Sequence, residues 1–257
     1  MTDHPSLTEL TPGICSVTLR SHGIQDVVRI AADAGLAGIE WGTDVHVSDA
    51  ASAALAKEST EAAGLAVLSL GSYYRCGAFG DFDRILDLAE TVGAPRIRVW
   101  AGETGSAEAS KELWEAIVTD TRRIADLAAA RDISIAFEYH GNTLTDSPAT
   151  TLELLDRVDH PNVGTYWQPA VGLSDQQALD SLHQVLPHVT GVHCFSWGPA
   201  GERFPLRNRK LLWQAVSDVL RGNGKDLDLM LEFIQDDLPE NVLSDANFLH
   251  ALTLGED

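Results

Sequence analysis

Short runs of β-forming residues alternate with longer helical stretches along the whole chain, and this alternation constrains the fold more than any other feature. The predicted strands are Gly13–Thr18, Gly38–Trp41, Ala66–Leu70, Arg96–Trp100, Ile133–Glu138, Asn162–Trp167, Val189–Phe195 and Leu227–Glu232. The predicted helices are Ile24–Ala34, Ser48–Ala63, Phe82–Val92, Ala107–Ala130, Ala149–Val158, Ser174–Val185, Leu211–Leu220 and Pro239–Leu252. Strands that alternate with helices are typical of a parallel sheet covered by helices.

The residues at the ends of these segments are ones that commonly start or stop helices. Gly35, Gly64 and Gly93 each follow a predicted helix, where glycine commonly stops one, and Ser147-Pro148 is a usual helix start. No proline- or serine-rich linker interrupts the series, so we expect one domain over residues 1–257. Eight strand and helix repeats in a chain near the usual length of about 250 residues favour a single (β/α)8 TIM barrel over an open sheet.

The charge of the chain limits its partners. It has 18 basic and 38 acidic residues, a formal net charge of −20, which repels phosphate backbones and anionic membranes. The N-terminal segment has no apolar leader core, and no apolar run is long enough to span a bilayer. The three cysteines form no CxxC pair, so neither a disulfide framework nor a thiolate zinc site is indicated. We therefore expect a cytoplasmic protein without nucleic-acid or membrane partners; a homodimer stays open.

The stretch ISIAFEYHGNTLTDS, residues 133–147, ends an apolar run abruptly in polar side chains. Glu138 and His140 are two residues apart and therefore point to the same side of an extended chain. An edge glutamate that faces water is the alternative. In a (β/α)8 barrel, active sites gather at the carboxyl ends of the strands. The residues at or just beyond those ends are mostly polar or aromatic: Glu40, Trp41, Ser69, Tyr73, Tyr74, Arg98, Trp100, Glu138, His140, Gln168, His193 and Glu232.

Four of these residues come from four consecutive strands and predict a metal site. Glu138, Gln168, His193 and Glu232 end strands five to eight, so barrel closure places them side by side. Two carboxylates, an amide oxygen and an imidazole suit Mn²⁺ or Mg²⁺, with Zn²⁺ or Co²⁺ as further choices. For His193 alone, the alternative is a core histidine bonded to backbone.

The strand order, the strand-five glutamate, the HCF sequence of strand seven and the LEF ending of strand eight resemble the xylose isomerase-like TIM barrels. This superfamily includes sugar isomerases and epimerases, inosose dehydratase and endonuclease IV, and the resemblance covers nearly the whole chain. In its ketose 3-epimerases, Glu, Asp, His and Glu on strands five to eight hold one divalent metal. The resemblance assigns these roles to Glu138, Gln168, His193 and Glu232. It also implies that the two glutamates act as opposed acid and base and that Arg203 holds the substrate.

Strand six departs from the family pattern. Gln168 stands in the place of the aspartate ligand, and Val171 stands in the place of a substrate-binding histidine three residues later. An amide oxygen can coordinate a hard cation, but the site loses one negative charge, so we expect weaker metal binding. Three outcomes stay open: a weakened metal site, a site in which His140 replaces a missing group, or a barrel that binds sugar without catalysis.

The residues suit proton abstraction next to a carbonyl, with Glu138, Glu232 and His140 as catalytic groups and a divalent metal as cofactor. We expect a metal-dependent sugar or polyol isomerase or epimerase. A dehydratase or keto-glycoside lyase uses the same first step and is the nearest alternative, and a noncatalytic sugar-binding barrel is the second. Endonuclease IV-like repair is disfavoured by the negative charge.

Aromatic side chains at the strand ends are typical of sugar recognition, because they stack on the C–H faces of the ring. Trp41, Tyr74, Trp100 and Trp167 are therefore expected to contact the substrate. The alternative is that they pack beneath the rim loops.

Overall fold

A closed barrel of eight parallel strands forms the centre of the computed structural model, which describes residues 9–255. The barrel strands are β1 (Leu10–Cys15), β2 (Gly38–Gly42), β3 (Ala66–Arg75), β4 (Arg96–Trp100), β5 (Ser134–Phe137), β6 (Val163–Trp167), β7 (Val189–Cys194) and β10 (Leu227–Leu231). Consecutive barrel strands pair with one another, and β10 pairs with β1 to close the ring. A short antiparallel pair, β8 (Ser196–Trp197) and β9 (Arg203–Phe204), follows β7. The predicted (β/α)8 TIM barrel is confirmed.

Eight α-helices within the described residues surround the barrel. They are α1 (Ile24–Asp33), α2 (Ala50–Ala62), α3 (Phe82–Val92), α4 (Lys111–Ala129), α5 (Pro148–Val158), α6 (Asp175–Val185), α7 (Lys210–Gly222) and α8 (Pro239–Leu254). Local signals set their ends as expected. The Ser147 side chain accepts the Thr150 N–H in the first turn of α5, and Gly93 stops α3 in the left-handed conformation at φ 80°.

Several predicted boundaries were wrong; β3, for example, continues to Arg75 beyond its predicted end at Leu70. The first strand was expected over Gly13–Thr18, but β1 covers Leu10–Cys15 and residues 16–19 form a 3₁₀ turn. Pairing of β1 with β10, from Leu10 opposite Leu227 to Ile14 opposite Leu231, outweighs the local β preference of the next residues. The fourth helix begins at Lys111 rather than Ala107 because the Ser110 side chain caps it.

Side chains alternate between the two faces of each barrel strand, as the pleat requires. On β4, Ile97 and Val99 belong to the apolar layer between barrel and helices, whereas Arg96 and Arg98 make polar contacts with side chains of other strands across the barrel. The barrel interior therefore carries charge while the layer outside it is the main hydrophobic core.

Cys15, Cys76 and Cys194 are buried free thiols, in agreement with the absence of a predicted disulfide framework. None of the helices within residues 9–255 combines the length and the apolar character that a membrane crossing requires.

Candidate active site

The four predicted ligands meet at one end of the barrel. Glu138, Gln168, His193 and Glu232 are all buried, with 8% or less of each residue exposed. His193 Nδ1 lies 3.0 Å from Gln168 Oε1 and 3.4 Å from Glu232 Oε2. One ligand atom from each of Glu138, His193 and Glu232 lies within 4.8 Å of the others. The barrel thus brings together residues that are 94 positions apart in the chain, from 138 to 232.

This cluster fits a divalent metal by its donor chemistry. It offers two carboxylates, one imidazole nitrogen and one amide oxygen in a buried position, which is a hard, mixed oxygen and nitrogen set. The backbone holds the first carboxylate in place: the Glu138 N–H donates to the Val99 carbonyl at 2.9 Å, and its carbonyl accepts the Thr145 hydroxyl at 2.6 Å. Ligand side chains on a fixed backbone are what such a site needs.

Glu40 and Arg98 also belong to the cluster. No role had been predicted for either residue from the sequence. Arg98 Nε donates to Glu40 Oε1 at 3.0 Å, and the other arm of the guanidinium forms a close ion pair with Glu138 Oε2. Glu40 Oε2 accepts hydrogen bonds from Ser69 Oγ at 2.6 Å and from the Tyr166 hydroxyl at 2.9 Å. The sequence signal that could have identified Arg98 is its spacing, because Arg96 and Arg98 are two residues apart on one strand and therefore point to the same face.

The charged groups of this cluster shift one another's pKa values. Burial opposes ionisation of Glu40, but Arg98 and His193 hold the pKa of its carboxyl well below the usual range. Burial likewise opposes protonation of His193, yet the neighbouring Cys15, Glu232 and Glu40 raise the imidazole pKa well above its ordinary value. Cys15 itself has a pKa raised to about 12, chiefly by burial. The neighbouring carboxylates therefore favour the protonated form of the His193 imidazole.

An open pocket of about 310 Å³ lies above the cluster. Its polar lining, which we call the polar wall, consists of Glu138, His140, Asp146, Gln168 and Glu232. Its aromatic lining, which we call the aromatic wall, consists of Phe195, Trp197 and Phe233. A small molecule in this pocket would reach the predicted metal ligands directly.

His140 lies half-buried on the polar wall with its ring orientation fixed. Nδ1 is 2.7 Å from the Gly141 carbonyl, and the ring stacks on Trp100 with centroids 4.4 Å apart. A carbonyl can only accept, so Nδ1 carries the proton when the ring is neutral, and Nε2 keeps a free lone pair. Trp100 thus contacts the pocket wall through His140, and its buried indole N–H has no partner in the described part of the chain.

Arg203 lies behind the aromatic wall. Its guanidinium donates to Asp237 Oδ1 at 2.6 Å and covers the rings of Phe233, at 4.8 Å, and Trp197, at 5.5 Å. It is not among the residues that line the pocket, so a direct role in holding the substrate stays a prediction.

Three of the predicted substrate contacts are wrong. Trp41 and Trp167 are completely buried in the layer between barrel and helices, where their indole N–H groups donate to Thr60 of α2 at 3.2 Å and to Ser181 of α6 at 3.0 Å. Both directly neighbour an inward carboxylate or amide residue in sequence, and the pleat turns them outward. Tyr74 is tied to the buried Asp120 of α4 at 2.9 Å.

The loop after β10 holds the aromatic wall in an unusual backbone conformation. Phe233, Asp236 and Asp237 are all left-handed, at φ 49°, 57° and 52°. The Phe233 N–H donates to Thr18 Oγ1 at 3.0 Å, and its carbonyl accepts the Trp197 indole N–H at 3.4 Å. These two bonds hold the Phe233 ring in position over the pocket.

A larger cavity of about 600 Å³ opens at the opposite end of the barrel, beside the amino ends of β5, β6 and β7. None of the predicted site residues lines it. In this fold the amino-terminal face serves stability rather than chemistry, so the smaller pocket is the candidate active site.

Comparison with known proteins agrees with this geometry. A 3-dehydroshikimate dehydratase of Bacillus anthracis is 28% identical over 199 residues, which cover 70% of this chain and 69% of that protein. The crystal structure of a probable 3-DHS dehydratase from Bacillus anthracis has a TM-score of 0.78 at 22% identity, covering 94% of this chain and 99% of that one. A 3-keto-D-glucoside 4-epimerase from E. coli has a TM-score of 0.74 at 17% identity, covering 95% and 99%. The family model described as xylose isomerase-like TIM barrel matches residues 28–251, and the chain belongs to that family.

Proposed function

We propose that this protein is a metal-dependent dehydratase that removes water from a small polyhydroxylated ketone. The observation that carries the proposal is the position of the candidate bases. His140 lines the pocket outside the ligand cluster, with Nδ1 2.7 Å from the Gly141 carbonyl. Glu138 and Glu232, expected to act as opposed acid and base, instead converge with His193 on one cluster. Epimerisation by proton transfer needs an acid and a base on opposite faces of the substrate, whereas an elimination can proceed with one base.

His140 is the proposed base. With Nδ1 donating to the Gly141 carbonyl, the free lone pair of Nε2 can take the proton from the carbon next to the substrate carbonyl. The electron pair of the broken C–H bond forms a new C=C bond as the hydroxyl on the next carbon departs. The proton from His140 passes to that hydroxyl, so one water leaves for each substrate converted.

The proposed metal ligands are Glu138, Gln168, His193 and Glu232. Mn²⁺ or Mg²⁺ is the best match to this oxygen-rich set. A divalent cation held by these residues would polarise the substrate carbonyl and so acidify the neighbouring C–H bond. Trp197 and Phe233 line the same pocket and offer apolar ring surface on which a C–H face of the substrate can stack.

The named relatives support a dehydratase with 3-dehydroshikimate as the first substrate to test. The sequence match to a 3-dehydroshikimate dehydratase spans 199 residues at 28% identity. Loss of water from this ring extends its conjugation, so product formation can be followed by ultraviolet absorbance. A panel of neutral cyclic and linear keto-polyols, analysed by mass spectrometry for loss of water, covers other substrates of the same chemistry.

The test compares the Mn²⁺-loaded protein with His140→Gln. We expect the dehydration rate of the variant to fall at least a hundredfold, the lower bound of what general base catalysis contributes. His160→Gln is the matched control, because His160 lies at the opposite end of the barrel, half-buried against Asp126, and its rate should be unchanged. Dehydration that survives His140→Gln would refute the assignment of the base.

An epimerase or isomerase is the second candidate, favoured by the structural likeness to the 3-keto-D-glucoside 4-epimerase. Incubation of the substrate panel in deuterated water separates the two functions. Solvent deuterium incorporated without loss of water would favour the second candidate. A protein that neither exchanges deuterium nor releases water with any tested ketone would be a noncatalytic sugar-binding barrel.

A further inference from the structure

Arg98 is a buried cation placed inside the predicted metal-binding cluster. Only 4% of its surface is exposed, and its two arms reach Glu40 and Glu138, which belong to β2 and to the end of β5. Among residues 9–255, no other arginine or lysine forms an ion pair with Glu40, Glu138 or Glu232. The guanidinium is therefore the fixed positive charge paired with these carboxylates.

Glu138 is shared between this ion pair and the proposed metal site. Its carboxylate lies in the cluster with His193 and Glu232, yet its Oε2 is occupied by Arg98. A guanidinium bound to a ligand carboxylate withdraws part of that ligand's charge and repels a divalent cation nearby. We propose that Arg98 is a positioning residue that restrains Glu138 and thereby keeps the affinity of the site for divalent metal low.

The charge balance supports this role, which rests on the metal site of the proposed function. Glu40, Glu138 and Glu232 contribute three negative charges, and Arg98 contributes one positive charge. A divalent cation bound with neutral His193 and Gln168 therefore brings the cluster to zero. An aspartate in place of Gln168, as in the resembling epimerases, would leave one uncompensated negative charge. Arg98 and Gln168 thus shift the balance in the same direction, toward weaker attraction for the metal.

The same ion pairs let the protein fold without metal. Three carboxylates buried within a few ångströms of each other repel one another and lose hydration, and a buried carboxylate without a partner is strongly destabilising. Arg98 offsets this cost permanently. Its removal should therefore lower the stability of the metal-free protein and raise the affinity for metal at the same time, a combination that general structural damage would not produce.

The experiment measures the dissociation constant of Mn²⁺ from the electron paramagnetic resonance signal of the free ion, for wild type and Arg98→Gln. We expect Arg98→Gln to bind Mn²⁺ at least tenfold more tightly, and to show a larger Mn²⁺-dependent rise in melting temperature. Arg123→Gln is the matched control, because Arg123 also pairs with a buried carboxylate, Asp120 at 2.8 Å, but outside the barrel. Its Mn²⁺ affinity should stay within twofold of wild type.

Equal or weaker Mn²⁺ binding by folded Arg98→Gln would overturn the proposal. If that variant does not fold, the double variant Glu40→Gln/Arg98→Gln takes its place, because it removes one charge of each sign and still releases Glu138. It should also bind Mn²⁺ more tightly than wild type. Equal or weaker binding by the double variant would likewise overturn the proposal. Tight binding without dehydration would refute the proposed function and leave the role of Arg98 standing. Absence of Mn²⁺ binding in wild type and all variants would refute both.

Discussion

Replacement of Trp167 by phenylalanine tests whether this side chain belongs to the outer core or to the substrate pocket. The structure gives Trp167 no exposed surface, an indole N–H bond of 3.0 Å to Ser181, and an edge contact with Trp213 at 6.2 Å. Trp167→Phe removes the hydrogen bond and one ring of the indole. The substitution should therefore reduce the free energy of unfolding while it leaves ligand and metal binding intact.

The expected loss can be worked from these contacts. A neutral hydrogen bond contributes about 0.5–1.5 kcal/mol. Loss of roughly 50 Å² of buried ring surface costs about 1.2 kcal/mol at ~25 cal/mol per Å², and the space left behind adds a smaller cavity cost. We therefore expect a loss of about 2–3 kcal/mol, which lowers the melting temperature of a chain of this size by about 5–10 °C.

Urea unfolding followed by circular dichroism measures this loss, and the Mn²⁺ dissociation constant reports on the site. Trp197→Phe is the control, since Trp197 lies half-buried on the pocket wall and should lose less than about 1 kcal/mol. A loss below about 0.5 kcal/mol for Trp167→Phe, together with a changed Mn²⁺ affinity, would refute the placement of Trp167 outside the barrel.

Three further substitutions test the site and its supports. Gln168→Glu keeps the side-chain length beside His193 and adds one negative charge, so the Mn²⁺ dissociation constant should fall at least tenfold; an unchanged constant would remove Gln168 from the ligand set. Burial raises the pKa of Asp245 to about 6, despite a hydrogen bond from the Leu206 N–H. The folded state therefore binds the carboxyl proton of Asp245 more tightly than the unfolded chain does, and stability declines as pH rises from about 4 to 6. Asp245→Asn should remove that decline, up to about 3 kcal/mol in urea titrations at several pH values, and curves that stay parallel would contradict it. Asp120→Ala leaves several buried donors unpaired and should cost about 3 kcal/mol or more in the same assay; a loss below about 1 kcal/mol would show that these donors find other partners.

The fold and the convergence of three predicted ligands could be predicted because both follow from periodic features. The alternation of strands and helices specifies the barrel, and barrel closure then brings Glu138, His193 and Glu232 together without further information. The side that each strand-end residue faces was predictable in principle. Once Glu40 is assigned to the interior, the pleat turns Trp41 outward, and the expectation of a substrate contact fails for that reason.

Other parts of the site could not be predicted from local sequence patterns. Arg98 is 58 residues from Glu40 and 40 from Glu138, and neither ion pair can be inferred from spacing. The position of Tyr74 depends on irregular pairing between β3 and β4, where the register shifts between Gly71 and Arg75. The bond from Tyr74 to Asp120 spans 46 residues. Contacts of this kind are decided by tertiary packing rather than by any repeating pattern.

The left-handed backbone at Phe233, Asp236 and Asp237 has a consequence for engineering. Each of these conformations costs a non-glycine residue on the order of 1 kcal/mol, so glycine there would relieve strain at two aspartates and one aromatic residue. A search for more heat-resistant variants would therefore select glycine at position 237, although the carboxylate lost there pairs with Arg203, whose guanidinium covers the rings of Phe233 and Trp197. Selection for thermal tolerance and selection for substrate discrimination would oppose each other at this loop, and libraries screened for the first property alone would erode the second.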